Sequence, residues 1–143
     1  MYTQPDIDTF IKKYVTRREE SLLAGDFLKY NTELQRRING KSVLVIGGAG
    51  SIGSHYIKAI LRFNIRKLIV VDDKVFEKLF RHHGPFEIVA NFAAHKHVRS
   101  EKDIFSIEAM IENNVLRARK LLDLLLESPP EHFFCVSTDK AAN

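Results

Sequence analysis

The stretch Ser42-Val43-Leu44-Val45-Ile46-Gly47-Gly48-Ala49-Gly50-Ser51-Ile52-Gly53 holds three kinds of local signal in twelve residues. An apolar, β-branched run stops at a cluster of glycines. A helical pattern follows, with Ile52, Tyr56, Ile57, Ile60 and Leu61 on one stripe. Strand, glycine turn and helix in this order are the context that a dinucleotide-binding fingerprint requires. Gly47 lets the chain turn tightly off the strand. Gly50 lets backbone approach a pyrophosphate, and Gly53 lets the helix pack close to the sheet. The amides of the first helical turn, at Ser51, Ile52 and Gly53, then face the phosphates together with the helix dipole.

A glycine motif alone is weak, so the second half of the unit matters. Lys67-Leu68-Ile69-Val70-Val71 reads as another buried strand and ends in Asp72-Asp73. An acidic residue at that tip is placed to accept hydrogen bonds from the adenosine ribose. It also repels a 2′-phosphate, which favours NAD over NADP. One of the pair is equally suited to capping the next helix.

A chain of 143 residues, 45% of them hydrophobic, can build the core of one domain. Its net charge of +4 is spread over Lys12-Lys13, Arg17-Arg18, Arg36-Arg37 and Lys96. A nucleic-acid surface would cluster such charges with aromatics, so no nucleic-acid partner is expected. One cysteine, Cys135, excludes an internal disulfide and fits a reducing compartment. Its place in Phe133-Phe134-Cys135-Val136 suggests a buried, inert thiol. No apolar run approaches the ~20 residues of a membrane span. The N-terminus lacks the apolar core of a signal peptide, and a cytoplasmic location is the expectation.

Two helices are expected ahead of the first strand. Residues 6–20 place Ile7, Phe10, Ile11, Tyr14 and Val15 on one face, with Asp6 as cap. Residues 27–38 align Phe27, Asn31, Leu34 and Ile38, and Gly40 stops the helix. They form an N-terminal extension over residues 1–40, whose apolar faces call for the flank of the sheet or another subunit; a homo-oligomer is expected. Past Asp73, a short helix fits 75–83, then a strand fits 86–92. Ala93 and Ala94 follow where small residues would let backbone lie against a cofactor or simply pack tightly. Residues 103–127 read as one long helix with Ile104, Ile107, Ile111, Val115, Ala118, Leu122 and Leu125 inward, ended by Pro129-Pro130. The last strand, 132–136, runs into Ser137-Thr138-Asp139-Lys140.

Polar residues thus gather at the carboxyl ends of four strands: the glycine turn, Asp72-Asp73, His95-Lys96-His97 and Ser137 to Lys140. Ligands bind at that edge of an open α/β sheet. Asp139 and Lys140 suit an acid/base pair, and suit an ordinary strand-end turn equally well.

Taken together, Gly-Gly-Ala-Gly-Ser-Ile-Gly (47–53), Ala-Ala-His-Lys-His-Val (93–98), Asn-Asn-Val-Leu (113–116) and Ser-Thr-Asp-Lys-Ala-Ala-Asn (137–143) resemble the extended short-chain dehydrogenase/reductase family. More narrowly, they resemble the nucleotide-sugar 4,6-dehydratases of the polysaccharide-biosynthesis (CapD-like) group, over residues 35–143. The resemblance implies an α/β fold: a Rossmann-type doubly wound parallel sheet, here with the N-terminal helical extension. It implies NAD or NADP as cofactor and UDP-N-acetylglucosamine as the nucleotide-sugar substrate, for surface polysaccharide biosynthesis. In the family, hydride leaves sugar C4 for the cofactor, the 4-ketone acidifies the C5 proton, water departs across C5–C6, and hydride returns to C6. By position, Asp139 would protonate the departing C6 hydroxyl and Lys140 would take the C5 proton. Thr138 would hydrogen-bond the sugar near C4. Lys96 and Ser137 would face the substrate, and Ala93-Ala94 would line the cofactor.

Two departures stand out. The family's Tyr-x-x-x-Lys pair and its substrate-binding part would lie beyond residue 143. The stretch from Asp73 to Ile88 is too short, because the family carries a further helix and strand there. Chain is therefore expected to be missing near 73–74 and after 143, leaving residues 41–143 as an incomplete Rossmann domain. This 143-residue piece alone is expected to be inactive. The competing readings are a 4-epimerase or ketoreductase of the same superfamily, and a non-catalytic dinucleotide-binding module. If the cofactor crevice forms normally, strand 88–92 lies beside strand 43–46, on the side away from strand 67–71. The helix at 75–83 then occupies the sheet face opposite the helix at 52–63.

Overall fold

The protein's computed structural model describes residues 6–17, 20–21, 23–71, 75–94 and 103–136. The chain divides into two compact units, residues 1–36 and 37–143.

The second unit is built on β1 (Ser42–Ile46), whose five residues are all buried. Unbroken burial is what a parallel strand covered on both faces demands. β2 (Lys67–Val71) lies along one side of β1, with Ser42 opposite Lys67 and Ile46 opposite Val71. β3 (Ile88–Asn91) lies along the other, with Val43 opposite Ile88 and Ile46 opposite Asn91. β4 (His132–Cys135) pairs with β3, and all neighbours are parallel. The order is β2-β1-β3-β4, and in it β3 lies beside β1 on the side away from β2, as expected from the sequence. The chain steps outward from β1 to β2, then returns across β1 to β3, so the strand order reverses between β1 and β3.

The period-2 alternation of β1 sorts the core into two layers. Leu44 and Ile46 join Val71, Phe86 and Val89 under Phe76 and Phe80 of α5 (Phe76–His83) and Leu121, Leu124 and Leu125 of α7 (Arg117–Glu127). Val43, Val45 and Ile88 join Ile60, with Tyr56 and Ile57, of α4 (Ser51–Ile60) on the opposite layer. α4 and α5 thus occupy opposite faces, as right-handed crossovers require when the direction of travel along the sheet reverses. Each fully buried aliphatic side chain in these layers contributes about 1.5–3 kcal/mol of transfer free energy.

The amino ends of the strands are tied by polar contacts. The Glu87 carboxylate accepts the Ser42 amide at 2.8 Å and pairs with Arg66, whose Nε also donates to Ser42 Oγ at 3.2 Å. Lys41 pairs with Glu131 in the same region. Partial burial works to raise the Glu87 carboxyl, but the Ser42 amide and the Arg66 guanidinium outweigh it and hold it below the usual carboxylate range.

Three expectations need correction. The 103–127 segment is α6 (Ile104–Ile111), a π-helical stretch Glu112–Leu116 and then α7, and of the fully buried residues on its inner face only Leu125 belongs to the expected stripe. Ile104, Ile107, Ile111, Val115 and Leu122 are exposed, whereas Leu121, Leu124 and Leu125 are buried. A π turn inserts residues relative to the 3.6 period, so the facing side rotates where it occurs. Cys135 is exposed rather than buried, because β4 is an outer strand with β3 as its neighbour among the described residues. The expected second helix is two: α2 (Ala24–Lys29) and α3 (Asn31–Ile38).

Gly40 does stop α3, at φ +75°. In the first unit, α1 (Ile7–Phe10) runs on as a π-helical segment Ile11–Thr16. Asp6 caps it as expected, accepting the Thr9 amide at 3.3 Å and its hydroxyl at 2.6 Å. Ile7, Phe10, Ile11, Tyr14 and Val15 are exposed. The expected gap at 73–74 lies outside the described residues. Among those described, no helix is long and apolar enough to cross a membrane.

Candidate functional site

At the carboxyl end of β1 the chain leaves the sheet through Gly47, whose φ of +78° belongs to the left-handed region that glycine adopts without strain. Its amide stays tied to the sheet through Val71 O at 2.8 Å. A Cβ here would also sit 2.5 Å from the Ala93 amide nitrogen and 2.7 Å from the Phe92 carbonyl carbon. Gly53, in the first turn of α4, is equally constrained, since a Cβ would run into Gly47 O and the Gly48 backbone. Gly53 therefore lets the start of α4 pack directly on the turn that leaves β1.

Gly50 differs. Its φ of −66° and ψ of 162° suit any residue, and a Cβ would meet only Gly47 O at 3.5 Å. Nothing inside the protein demands a glycine there. The space next to it is open, as backbone approach by an external group requires. Gly50 is also the N-cap of α4 and offers no side-chain acceptor, so the first-turn amides at Ser51, Ile52 and Gly53 lack a side-chain cap from it.

The crevice beside the turn holds about 310 Å³ and lies where the strand order reverses. Gly47, Gly50, Ala93 and Ala94 line it, together with Ile46, Phe76, Asn91 and Phe92. Asn113, Arg117, Ala118 and Leu121 close its far side. The loop after β3 is held in place by Asn91, a buried polar residue whose Oδ1 accepts the Ala93 amide at 3.0 Å. The Phe92 amide donates to Ile46 O at 2.7 Å. Below, Phe92 packs between Tyr56 at 5.1 Å and Phe134 at 5.6 Å between ring centres. Burial pushes the Tyr56 hydroxyl up from its ordinary value of 10, so it stays protonated at neutral pH and serves as a packing group.

The chemistry of this donor set fits a dinucleotide: glycine backbone, helix-terminal amides and small residues opposite. Of the residues singled out in the sequence, Gly47, Gly50, Ala93 and Ala94 are brought together, with Ser51, Ile52 and Gly53 at the head of α4 beside them. Asp72, Asp73, Lys96, Ser137, Thr138, Asp139 and Lys140 lie outside the described residues. The sequence reading missed roles for Asn91, Phe76, Asn113 and Arg117. Asn113, Arg117 and Leu121 recur at i, i+4 and lead into Leu125 of the expected stripe, a spacing that the sequence also carries. Among the described residues, no group of three His, Cys, Asp or Glu side chains is arranged to hold a metal ion.

The model of a family described as polysaccharide biosynthesis protein matches residues 43–78 and 70–143. The chain belongs to this family. The match comes in two overlapping pieces that meet around the tip of β2, where the connection to α5 is short.

Among family relatives, the capsular polysaccharide biosynthesis protein CapD of Staphylococcus aureus is 23% identical over 154 residues, taking in 87% of this chain and 26% of CapD. That alignment is longer than the chain itself, so CapD carries residues this chain lacks. A protein of Methanocaldococcus jannaschii described as uncharacterized membrane protein MJ1061 is 30% identical over 128 residues, 72% of this chain and 38% of its own length. The chain thus spans roughly a quarter to two-fifths of such relatives.

Two solved structures share the fold. The epimerase Mth375 of Methanothermobacter thermautotrophicus has a TM-score of 0.64 at 21% identity, covering 78% of this chain and 39% of that one. The Bordetella bronchiseptica enzyme WbmF, solved in complex with NAD+, has a TM-score of 0.56 at 20% identity, covering 69% and 36%.

Proposed function

We propose that this chain is the cofactor-binding part of an NAD-dependent nucleotide-sugar 4,6-dehydratase, with NADP as the second candidate cofactor. The observation that carries the reading is Gly50, a glycine that no internal contact or backbone angle requires, facing an open crevice at the strand-order reversal. Membership of the polysaccharide biosynthesis family supports a sugar-modifying role. The substrate proposed is UDP-N-acetylglucosamine.

When bound, the cofactor would take hydride from sugar C4 and return it to C6. The C4 hydroxyl proton would go to the Tyr-x-x-x-Lys pair expected beyond residue 143, and residues of this chain serve the remaining steps. Gly47, Gly50 and the Ser51–Gly53 amides hold the diphosphate, and Asp72 accepts from the adenosine ribose. Ala93 and Ala94 leave room for the cofactor along the loop after β3. Thr138 orients the sugar near C4, and Lys96 and Ser137 face it. Lys140 takes the C5 proton while Asp139 gives one to the departing C6 hydroxyl, so that water leaves, and Lys140 returns its proton to C5 when hydride reaches C6. The full-length protein is expected to be a homo-oligomer.

The test is incubation of full-length protein with UDP-N-acetylglucosamine and mass spectrometry of the product. Loss of one water supports dehydration. An unchanged mass with an altered sugar would instead mean 4-epimerisation.

A further inference from the structure

We infer that Arg117 is the cation that meets the phosphates of the dinucleotide bound at the glycine turn, an inference that rests on the cofactor reading above. The crevice is lined by glycine, alanine, apolar and amide side chains, and among the described residues lining it Arg117 is the one charged group. It stands on the inner ladder of the helix, one turn above Leu121, which is buried in the core. An arginine so placed gives up part of its hydration, and the Glu112 carboxylate offsets part of that cost. Its side chain is about 20% exposed.

The guanidinium Nη2 lies 3.3 Å from Glu112 Oε1, a contact spanning the π-helical stretch to a carboxylate that is itself half-exposed. Glu112 and Arg117 also line a second groove, with Arg119 and Lys120 of the same helical segment and Phe76 and Glu77 at the start of α5. Arg117 therefore stands where the crevice opens to solvent, oriented by Glu112.

A guanidinium stays charged at all physiological pH and presents a planar fork that matches phosphate oxygens in pairs. The α4 amides approach the same crevice from the glycine turn. A dianionic diphosphate between them would be held by backbone donors on one side and by a full positive charge on the other. Phosphate is thus the feature of the ligand that Arg117 reads, and the base and ribose are not.

The experiment is calorimetric titration of the full chain, wild type, Arg117→Gln and Arg117→Lys, with NAD+, ADP and adenosine. Arg117→Gln should weaken NAD+ and ADP by about tenfold to a hundredfold, the range for a hydrogen bond to a charged group, while adenosine binding changes less than about twofold. Arg117→Lys should recover part of the loss, because it keeps the charge without the fork. Raising the salt should weaken NAD+ more in wild type than in Arg117→Gln. Equal NAD+ affinity in wild type and Arg117→Gln, or an equal loss of adenosine and ADP, would overturn the role of Arg117 and leave the cofactor reading standing. Absence of NAD+ and ADP binding by folded wild type would overturn both.

Discussion

A Cβ on Gly47 would lie 2.5 Å from the amide nitrogen of Ala93, so the glycine turn and the loop after β3 meet backbone to backbone. That contact closes the floor of the crevice and joins two segments separated by more than forty residues in sequence. Gly47→Ala adds a left-handed strain at φ +78° to this collision. It should destabilise the fold by more than about 2 kcal/mol, read as a lower urea midpoint. A midpoint unchanged from wild type would mean that the two loops are not in contact.

Asn91 fixes the same loop from below. With Asn91→Ala the Ala93 amide loses its acceptor, and a donor left unsatisfied costs about 1–3 kcal/mol. Chemical denaturation should show that loss, together with weaker NAD+ binding as the loop relaxes away from the turn. Stability and affinity both equal to wild type would remove the positioning role of Asn91.

The amino ends of the strands give a pH prediction. Glu87 is held below its ordinary value of 4.5 in the fold, so its contribution is present above that value and is lost as pH falls through the folded-state value. Glu87→Gln should therefore lower the melting temperature at pH 7, and the two proteins should converge at about pH 2. A gap that stays constant over this range would show that the carboxylate charge is not what holds Ser42 and Arg66 together.

The catalytic roles are tested in full-length protein. Asp139→Asn and Lys140→Ala should bind NAD+ as wild type does and lose dehydration by at least about a hundredfold, as removal of a general acid or base does. Either variant turning over at the normal rate would remove the role given to that residue.

The sheet was legible in the sequence because β1, β2 and β3 are apolar runs ending in glycine, acid or small residues, and each ending marks the ligand edge. The position of 88–91 beside β1 followed from the family resemblance, and handedness then set the face of the helix at 75–83. The helix at 104–127 was harder, because it is apolar on two sides. The stripe through Ile104, Ile111 and Val115 and the ladder through Arg117, Leu121 and Leu125 compete, and the π-helical stretch that decides between them leaves no distinctive residue type. Arg117 was missed for that reason. Asn91 was missed because nothing in Ile-Val-Ala-Asn says that its amide turns back to its own strand end. Exposure of Cys135 depends on what flanks β4, which local pattern does not encode.

The central claim is that the glycine turn receives the diphosphate of NAD, and calorimetric titration of NAD+ into wild type and Gly50→Val tests it most directly. Gly50 has backbone angles that valine accepts, and its Cβ position meets only Gly47 O at 3.5 Å. The variant should therefore melt within about 2 °C of wild type, a shift of roughly 0.6 kcal/mol or less. The predicted result is saturable binding by wild type and none detectable by the equally folded variant, because the added side chain fills the space the phosphates need. Equal NAD+ affinity in the two proteins, or no binding by folded wild type, would contradict the claim.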